Sequence, residues 1–230
     1  MMVNFVEYKS RAGLANGLAA IVAGQLAQIL EEKDRATLAV PGGTTPGPFL
    51  RALAQASIDW RRVSVLLTDE RFVSETSDRS NTKLLRETLL QGPAAKATLV
   101  PMVADAQTPE EVLDQLSATI TKTLPLDICV LGMGSDMHTA SIFPGADLLE
   151  DALDINSDKI LLPMRAPGSP EPRLTLTAQV LRAAATTHIL IAGQDKKHAL
   201  KKAELPGSAH DAPIRSVLNG PGDITIHFAE

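Results

Sequence analysis

Short apolar runs and longer amphipathic segments alternate along the chain. Leu14, Leu18, Ile21, Val22, Leu26, Ile29 and Leu30 recur at steps of three and four, the spacing that puts side chains on one face of a helix. Ser10 stands just ahead of them, where a hydroxyl can accept from an otherwise orphaned backbone amide. A strand over residues 3–8 precedes this helix. Ala36–Val40 follows it as a short apolar run stopping at Pro41-Gly42-Gly43, which predicts a buried strand meeting a tight turn. Further along, residues 49–56, 81–90, 110–123 and 195–204 read as helices. Val63–Leu67, Arg173–Leu176 and residues 126–131, 160–164, 187–192 and 223–228 read as strands. Apolar strands bounded by helices predict an α/β fold: a doubly wound, mostly parallel sheet with helices on both faces. With no internal repeat or low-complexity linker, the proline-rich stretch 163–172 reads as a loop within a single domain spanning residues 1–230.

In such folds ligands bind beyond the carboxyl ends of the strands, so the loops that follow strands should carry the chemistry. One is Pro41-Gly42-Gly43-Thr44-Thr45-Pro46. Glycines there let backbone amides approach an anion, and threonine hydroxyls add donors. It is not a P-loop, since no Gly-Lys-Ser/Thr follows. It can also be read as a plain turn with a threonine cap. A second is Thr68-Asp69-Glu70-Arg71, whose carboxylates and guanidinium suit the orientation of a sugar or the stabilisation of developing negative charge. A surface ion pair is the simpler account of it. Ser80-Asn81, beyond it, looks like the cap of the next helix.

The richest loop runs from Gly132 to Gly145 and contains Gly134, Asp136 and His138. A histidine at the mouth of a sheet can act as a general base near neutral pH. The last is Gly193-Gln194-Asp195-Lys196, which places Lys196 near a helix start. Arg173, heading a strand, is a further cation for the same region.

Composition narrows the ligand. A net charge of −5 without a basic block argues against nucleic acid. With aromatics at only 3%, a sugar would be gripped by polar and charged groups instead of stacked rings. Cys129 is the sole cysteine, which excludes an internal disulfide and cysteine-rich zinc sites. No apolar run approaches the ~18 residues of a membrane span, and residues 1–10, with Glu7 and Lys9, lack the apolar block expected of a signal peptide. A cytoplasmic location follows as the default, without a membrane partner.

These motifs, in this order, resemble those of the 6-phosphogluconolactonases: Pro41-Gly42-Gly43-Thr44, Thr68-Asp69-Glu70-Arg71, Ser80-Asn81, the Gly132–Gly145 loop, Arg173-Leu174-Thr175 and Gly193-x-x-Lys196. The resemblance covers nearly the whole chain. It implies a fold like that of the related glucosamine-6-phosphate deaminases, and hydrolysis of a phosphorylated sugar lactone. It matches His138 to the general base and Arg71 to an active-site arginine. Gly43, Thr44, Arg173 and Lys196 fall at positions associated with the phosphate. Gly42, Asp69 and Gly134 belong to the same substrate-binding motifs, and Asp136 would hold the loop or the imidazole.

The deaminases carry an acidic residue just before the proline of the histidine loop, where this chain has Ile142-Phe143-Pro144, and they favour tyrosine at the position of Arg71. A non-catalytic sugar-phosphate sensor would keep the phosphate residues without needing a base. Met137 stands where the family usually has glycine, which implies either a strained backbone at that point or a relaxed loop with the methionine packed on an apolar surface. No cofactor or metal is expected, because lactones are already activated esters. Monomer and weak dimer both remain open.

Overall fold

The chain enters through an exposed strand, β1 (Val3–Glu7), and turns at Ser10 into α1 (Arg11–Glu32). The Ser10 hydroxyl accepts from the Gly13 amide at 3.0 Å, which satisfies one of the unpaired donors of the first turn. Leu14, Leu18, Val22, Leu26 and Leu30 form its buried stripe, packed towards α2 (Gly47–Leu53) and β10 (Asp223–Ala229). No residue between Arg11 and Glu31 is charged, so α1 is long and apolar enough to cross a membrane by length and composition, with a mean hydropathy of 1.4. This corrects the expectation that no segment of the chain reaches that length. Asn16, Gln25 and Gln28 interrupt the apolar run without adding charge.

The computed structural model describes residues 3–230. In chain order the remaining elements are β2 (Ala36–Val40), β3 (Val63–Leu67), β4 (Asp69–Arg71), α3 (Asn81–Thr88), β5 (Thr98–Leu99), α4 (Leu113–Thr121), β6 (Ile128–Gly132), α5 (Leu149–Leu153), β7 (Leu161–Met164), β8 (Arg173–Leu176), α6 (Ala178–Arg182), β9 (Thr186–Ala192), α7 (Gln194–Glu204) and α8 (Ile214–Leu218). Seven strands form one parallel sheet in the order β1-β10-β9-β6-β2-β3-β5. From β2 the chain builds outward through β3 and β5. It then returns to β6 on the other side of β2 and builds the opposite way. The two central strands therefore send their following loops in opposite directions, which opens a crevice at their carboxyl ends.

A second sheet departs from the sequence expectation. Residues 160–164 and Arg173–Leu176 read as members of the parallel series, and Asp69–Arg71 as loop. Instead β4, β8 and β7 form a separate antiparallel sheet, with Asp69 opposite Thr175, Arg71 opposite Arg173, and Met164 also opposite Arg173. A short apolar run announces a strand but not its partner. The chain changes sheets at Thr68, whose amide donates to the Val40 carbonyl at 2.9 Å while its own carbonyl accepts from Leu176 at 3.0 Å. Pro163 accordingly lies in β7, and the proline-rich loop shrinks to residues 165–172.

The helix expected over residues 110–123 is a 3-10 turn, Pro109–Val112, continued by α4. The short helices α5, α6 and α8 span too few residues to show a period. Cys129 is buried in β6, where burial pushes its thiol up to about 12. At that value the thiol is inert.

Candidate active site

Two loops leave the crevice between β2 and β6. After Val40 the chain turns through Gly43, whose φ of 95° is a left-handed conformation that glycine adopts without strain. Gly42 has no room for a side chain, because a Cβ there would overlap the amide group of Asn81. Pro46 occupies the N-cap of α2 with no side-chain hydrogen bond. Thr44 and Thr45 are therefore not helix caps; both line the crevice.

The loop after β6 folds back on itself at once. The Gly134 amide donates to the His138 carbonyl at 2.9 Å, and the Met137 amide donates to the Gly134 carbonyl at 3.0 Å. This turn brings His138 Nδ1 within 2.6 Å of Asp136 Oδ1. An ionised carboxylate can only accept, so Nδ1 carries the proton and Nε2 is left as the basic atom. The same hydrogen bond holds the Asp136 carboxyl below its ordinary pKa, against a smaller opposing effect of desolvation. The imidazole lies 4.3 Å, centroid to centroid, from the ring of Phe143. The Arg173 guanidinium lies 5.2 Å from the centre of that same ring.

The small sheet supplies the opposite wall. Asp69 is buried, and its Oδ2 accepts from the Ser141 hydroxyl at 2.6 Å. Arg173 Nη1 stands 3.9 Å from Asp69 Oδ2. Desolvation lowers the pKa of Arg173, partly offset by the Asp69 charge. Arg71 donates from Nη1 to the Arg79 carbonyl at 2.6 Å. Its Nε is buried and finds no hydrogen-bond partner among the described residues. From the first turn of α7, Lys196 Nζ donates to the Met133 carbonyl. Burial pushes its pKa down, while the Asp136 charge pulls the other way.

Together these loops enclose a cleft of about 270 Å³. Gly42, Gly43, Thr44, Asp69, Arg71, Gly134, His138, Arg173 and Lys196 all line it. Asp136 touches His138 but does not line the cleft itself. Among the described residues, no group of three or more His, Cys, Asp or Glu side chains is placed to hold a metal ion.

Three neighbours carry roles that the sequence does not announce. Asn81, which reads only as part of a cap, is buried, donates from Nδ2 to the Asp69 carbonyl at 3.0 Å and reaches the cleft. The capping itself falls to Ser80, whose hydroxyl accepts from the Lys83 amide at 3.2 Å. Glu70 is fully buried and accepts from the amides of Arg71, Asn81 and Thr82 at 2.7, 2.8 and 2.6 Å. It thus anchors the start of α3, where a negative charge is favoured. Phe143 packs near both the His138 imidazole and the Arg173 guanidinium. The sequence motifs contain Glu70 and Phe143 without showing these roles, which depend on the path the loops take once folded.

Comparison with known proteins gives this cleft a context. The 6-phosphogluconolactonase of Rhizobium meliloti is 42% identical over 219 residues, covering 95% of this chain and 94% of the relative. That of Pseudomonas aeruginosa is 42% identical over 227 residues, covering 98% and 94%. The crystal structure of a 6-phosphogluconolactonase from Shewanella baltica superposes with a TM-score of 0.96 at 30% identity, covering 100% of this chain and 98% of that one. Residues 9–226 match the family profile described as glucosamine-6-phosphate isomerases/6-phosphogluconolactonase. Fold and sequence agree, and the chain belongs to that family.

Proposed function

We propose that the protein hydrolyses 6-phospho-D-glucono-1,5-lactone to 6-phosphogluconate, the lactone-opening step of the oxidative pentose phosphate pathway, in the cytosol. The observation that carries this reading is the His138–Asp136 pair at 2.6 Å, with the imidazole lining a cleft that also holds Arg71, Arg173 and Lys196. A base beside several cations suits a substrate that has both an electrophilic carbonyl and a dianionic tail.

In this mechanism His138 Nε2 takes a proton from water as the water oxygen attacks C1 of the lactone. Asp136 holds the ring in the required tautomer and stabilises the imidazolium that forms. Negative charge gathers on the former carbonyl oxygen, where Arg71, backbone amides of the glycine turn, or both stabilise it. When the intermediate collapses, the bond from C1 to the ring oxygen breaks. The departing oxygen receives the proton from Nε2, which returns His138 to its starting state. Gly42, Gly43, Thr44, Arg173 and Lys196 hold the phosphate away from the reacting carbon, and this remote grip orients the carbonyl. No step needs a cofactor.

The test is turnover of freshly prepared phospholactone, with spontaneous hydrolysis subtracted, by the wild type and by His138→Ala. The wild type should turn over, and the folded variant should lose on the order of a hundredfold to ten-thousandfold in kcat. An inactive wild type, or a variant of near-normal kcat, would refute the proposal.

A further inference from the structure

Arg71 and Arg173 stand directly opposite one another on adjacent antiparallel strands. Like charges in that position repel, so something must hold the two guanidiniums side by side. Beyond each strand lies a loop without regular structure, residues 72–80 and residues 165–172. The bases of the two loops are tied by the Phe72 amide, which donates to the Pro172 carbonyl at 2.8 Å. Their outer parts are tied by a forked ion pair. Arg79 donates from Nη2 to Glu171 Oε1 at 2.7 Å, and from Nε to both carboxylate oxygens at 3.2 Å.

A surface ion pair ordinarily contributes little. Two observations set this one apart. The Glu171 side chain is only 12% exposed, although that of Arg79 is 53% exposed. The Glu171 pKa is lowered first by the Arg79 hydrogen bond, against opposing desolvation, and then by the charges of Arg79, Arg173 and Arg71. The pair also closes a continuous path between the two cleft arginines. Arg71 donates to the Arg79 carbonyl at 2.6 Å, and Arg79 forks onto Glu171. The Ser169 hydroxyl donates to the Glu171 carbonyl at 3.3 Å and accepts from Arg173 Nε at 3.1 Å.

We propose that Arg79 and Glu171 are positioning residues: their ion pair clasps the two loops across the rim of the cleft and sets the spacing at which Arg173 meets the substrate phosphate and Arg71 the developing oxyanion. Neither residue touches the substrate itself. The proposal rests on the phospholactone reading above. Asp69 from within the cleft and Glu171 from outside it offset the repulsion between the guanidiniums. Loss of the clasp frees both loops, and the arginines then drift apart.

The experiment is a double-mutant cycle with Glu171→Gln, Arg79→Ala and the pair together, each checked by urea unfolding. Glu171→Gln preserves shape and removes only charge, so it guards against a variant that fails to fold. Each single variant should raise KM for the phospholactone on the order of tenfold, which corresponds to about 1.4 kcal/mol. The double variant should be no worse than either single one, because each breaks the same contact. The pH profile of kcat should keep its shape, since the His138–Asp136 pair is untouched. Unchanged KM in the folded single variants would overturn the clasp, as would effects that simply multiply in the double variant. Absence of wild-type turnover would instead strike at the lactonase reading. The clasp would then stand or fall on whether the same variants weaken calorimetric binding of inorganic phosphate.

Discussion

Gly134 and His138 compete for one volume: a Cβ on Gly134 would overlap Nδ1 and Cε1 of the imidazole, and Asp136 Oδ1 as well. The missing side chain is what allows the ring to lie back over its own turn, against the carboxylate. Gly134→Ala must therefore push the imidazole aside or distort the turn. Misplacing a reacting group by about 1 Å can lower the rate on the order of a hundredfold. We expect that loss in kcat on the phospholactone, with the urea midpoint moving much less than the rate. A fully active Gly134→Ala enzyme would show that the ring has another way to reach the substrate.

The cations should separate the phosphorylated substrate from its plain counterpart. Arg173→Ala and Lys196→Ala each remove a charged donor from the cleft, and a hydrogen bond to a charged group typically contributes ~1.5 to 3 kcal/mol. Affinity for the phospholactone should fall accordingly, while the unphosphorylated lactone is affected far less. Equal losses on both substrates would contradict a role at the phosphate. Chelators should leave turnover unchanged, and inactivation reversed by added metal would count against the mechanism.

Met137 combines two features that the sequence presents as alternatives. Its φ is 66°, in the left-handed region, yet its side chain is packed in the core at 5% exposure. The Met137 carbonyl also accepts from the Ile214 amide at 3.1 Å, which ties the turn to α8. Met137→Gly relieves strain of roughly 1 to 3 kcal/mol. It also deletes a buried side chain, and core methionine truncations cost about 2 to 5 kcal/mol. Lost packing outweighs relieved strain, so the urea midpoint of Met137→Gly should fall at unchanged denaturant slope. A higher midpoint would reverse that ranking.

Acid should weaken the protein before its carboxylates titrate. His188 and His227 are buried together, 3.0 Å apart, with Tyr8 on the far side of His227 at 2.9 Å and Gln25 beyond His188 at 2.8 Å. Burial lowers both imidazoles from 6.5 to about 4. The unfolded chain takes up protons that the folded chain refuses, so stability is full above the unfolded value and is lost as pH falls from 6.5 towards 4. For His188 alone the loss approaches roughly 3 kcal/mol at the acid end of that window. The urea midpoint should decline between about pH 7 and 5. A flat midpoint across that interval would mean that the pair is not held neutral.

The parts of this molecule that sequence shows well are local ones. Ala36–Val40 and Val63–Leu67 declare themselves because a buried parallel strand is a compact apolar run, and the glycine loops declare themselves because they interrupt such runs. The residues that line the cleft are visible for the same reason. Pairing is less visible. Nothing near Arg71 says that it will face Arg173 across an antiparallel ladder, because that contact depends on residues about a hundred positions away. Spacing likewise does not reveal that Asp136 reaches Nδ1 of His138, since a two-residue separation can point the carboxylate either way until Gly134 folds the turn.

Ser141 has a consequence for how the product leaves. It sits in the histidine loop, yet its hydroxyl donates to Asp69 on β4 and its amide donates to Thr175 on β8, at 2.6 and 3.2 Å and both buried. Swinging the small sheet away from the large one would break two buried hydrogen bonds and deprive the Asp69 carboxylate of its shorter hydroxyl partner, an expensive loss away from water. We therefore expect 6-phosphogluconate to escape through the standing mouth of the cleft while the two sheets move as one body. Hydrogen exchange that found the Ser141 amide opening in step with turnover would point instead to a hinge.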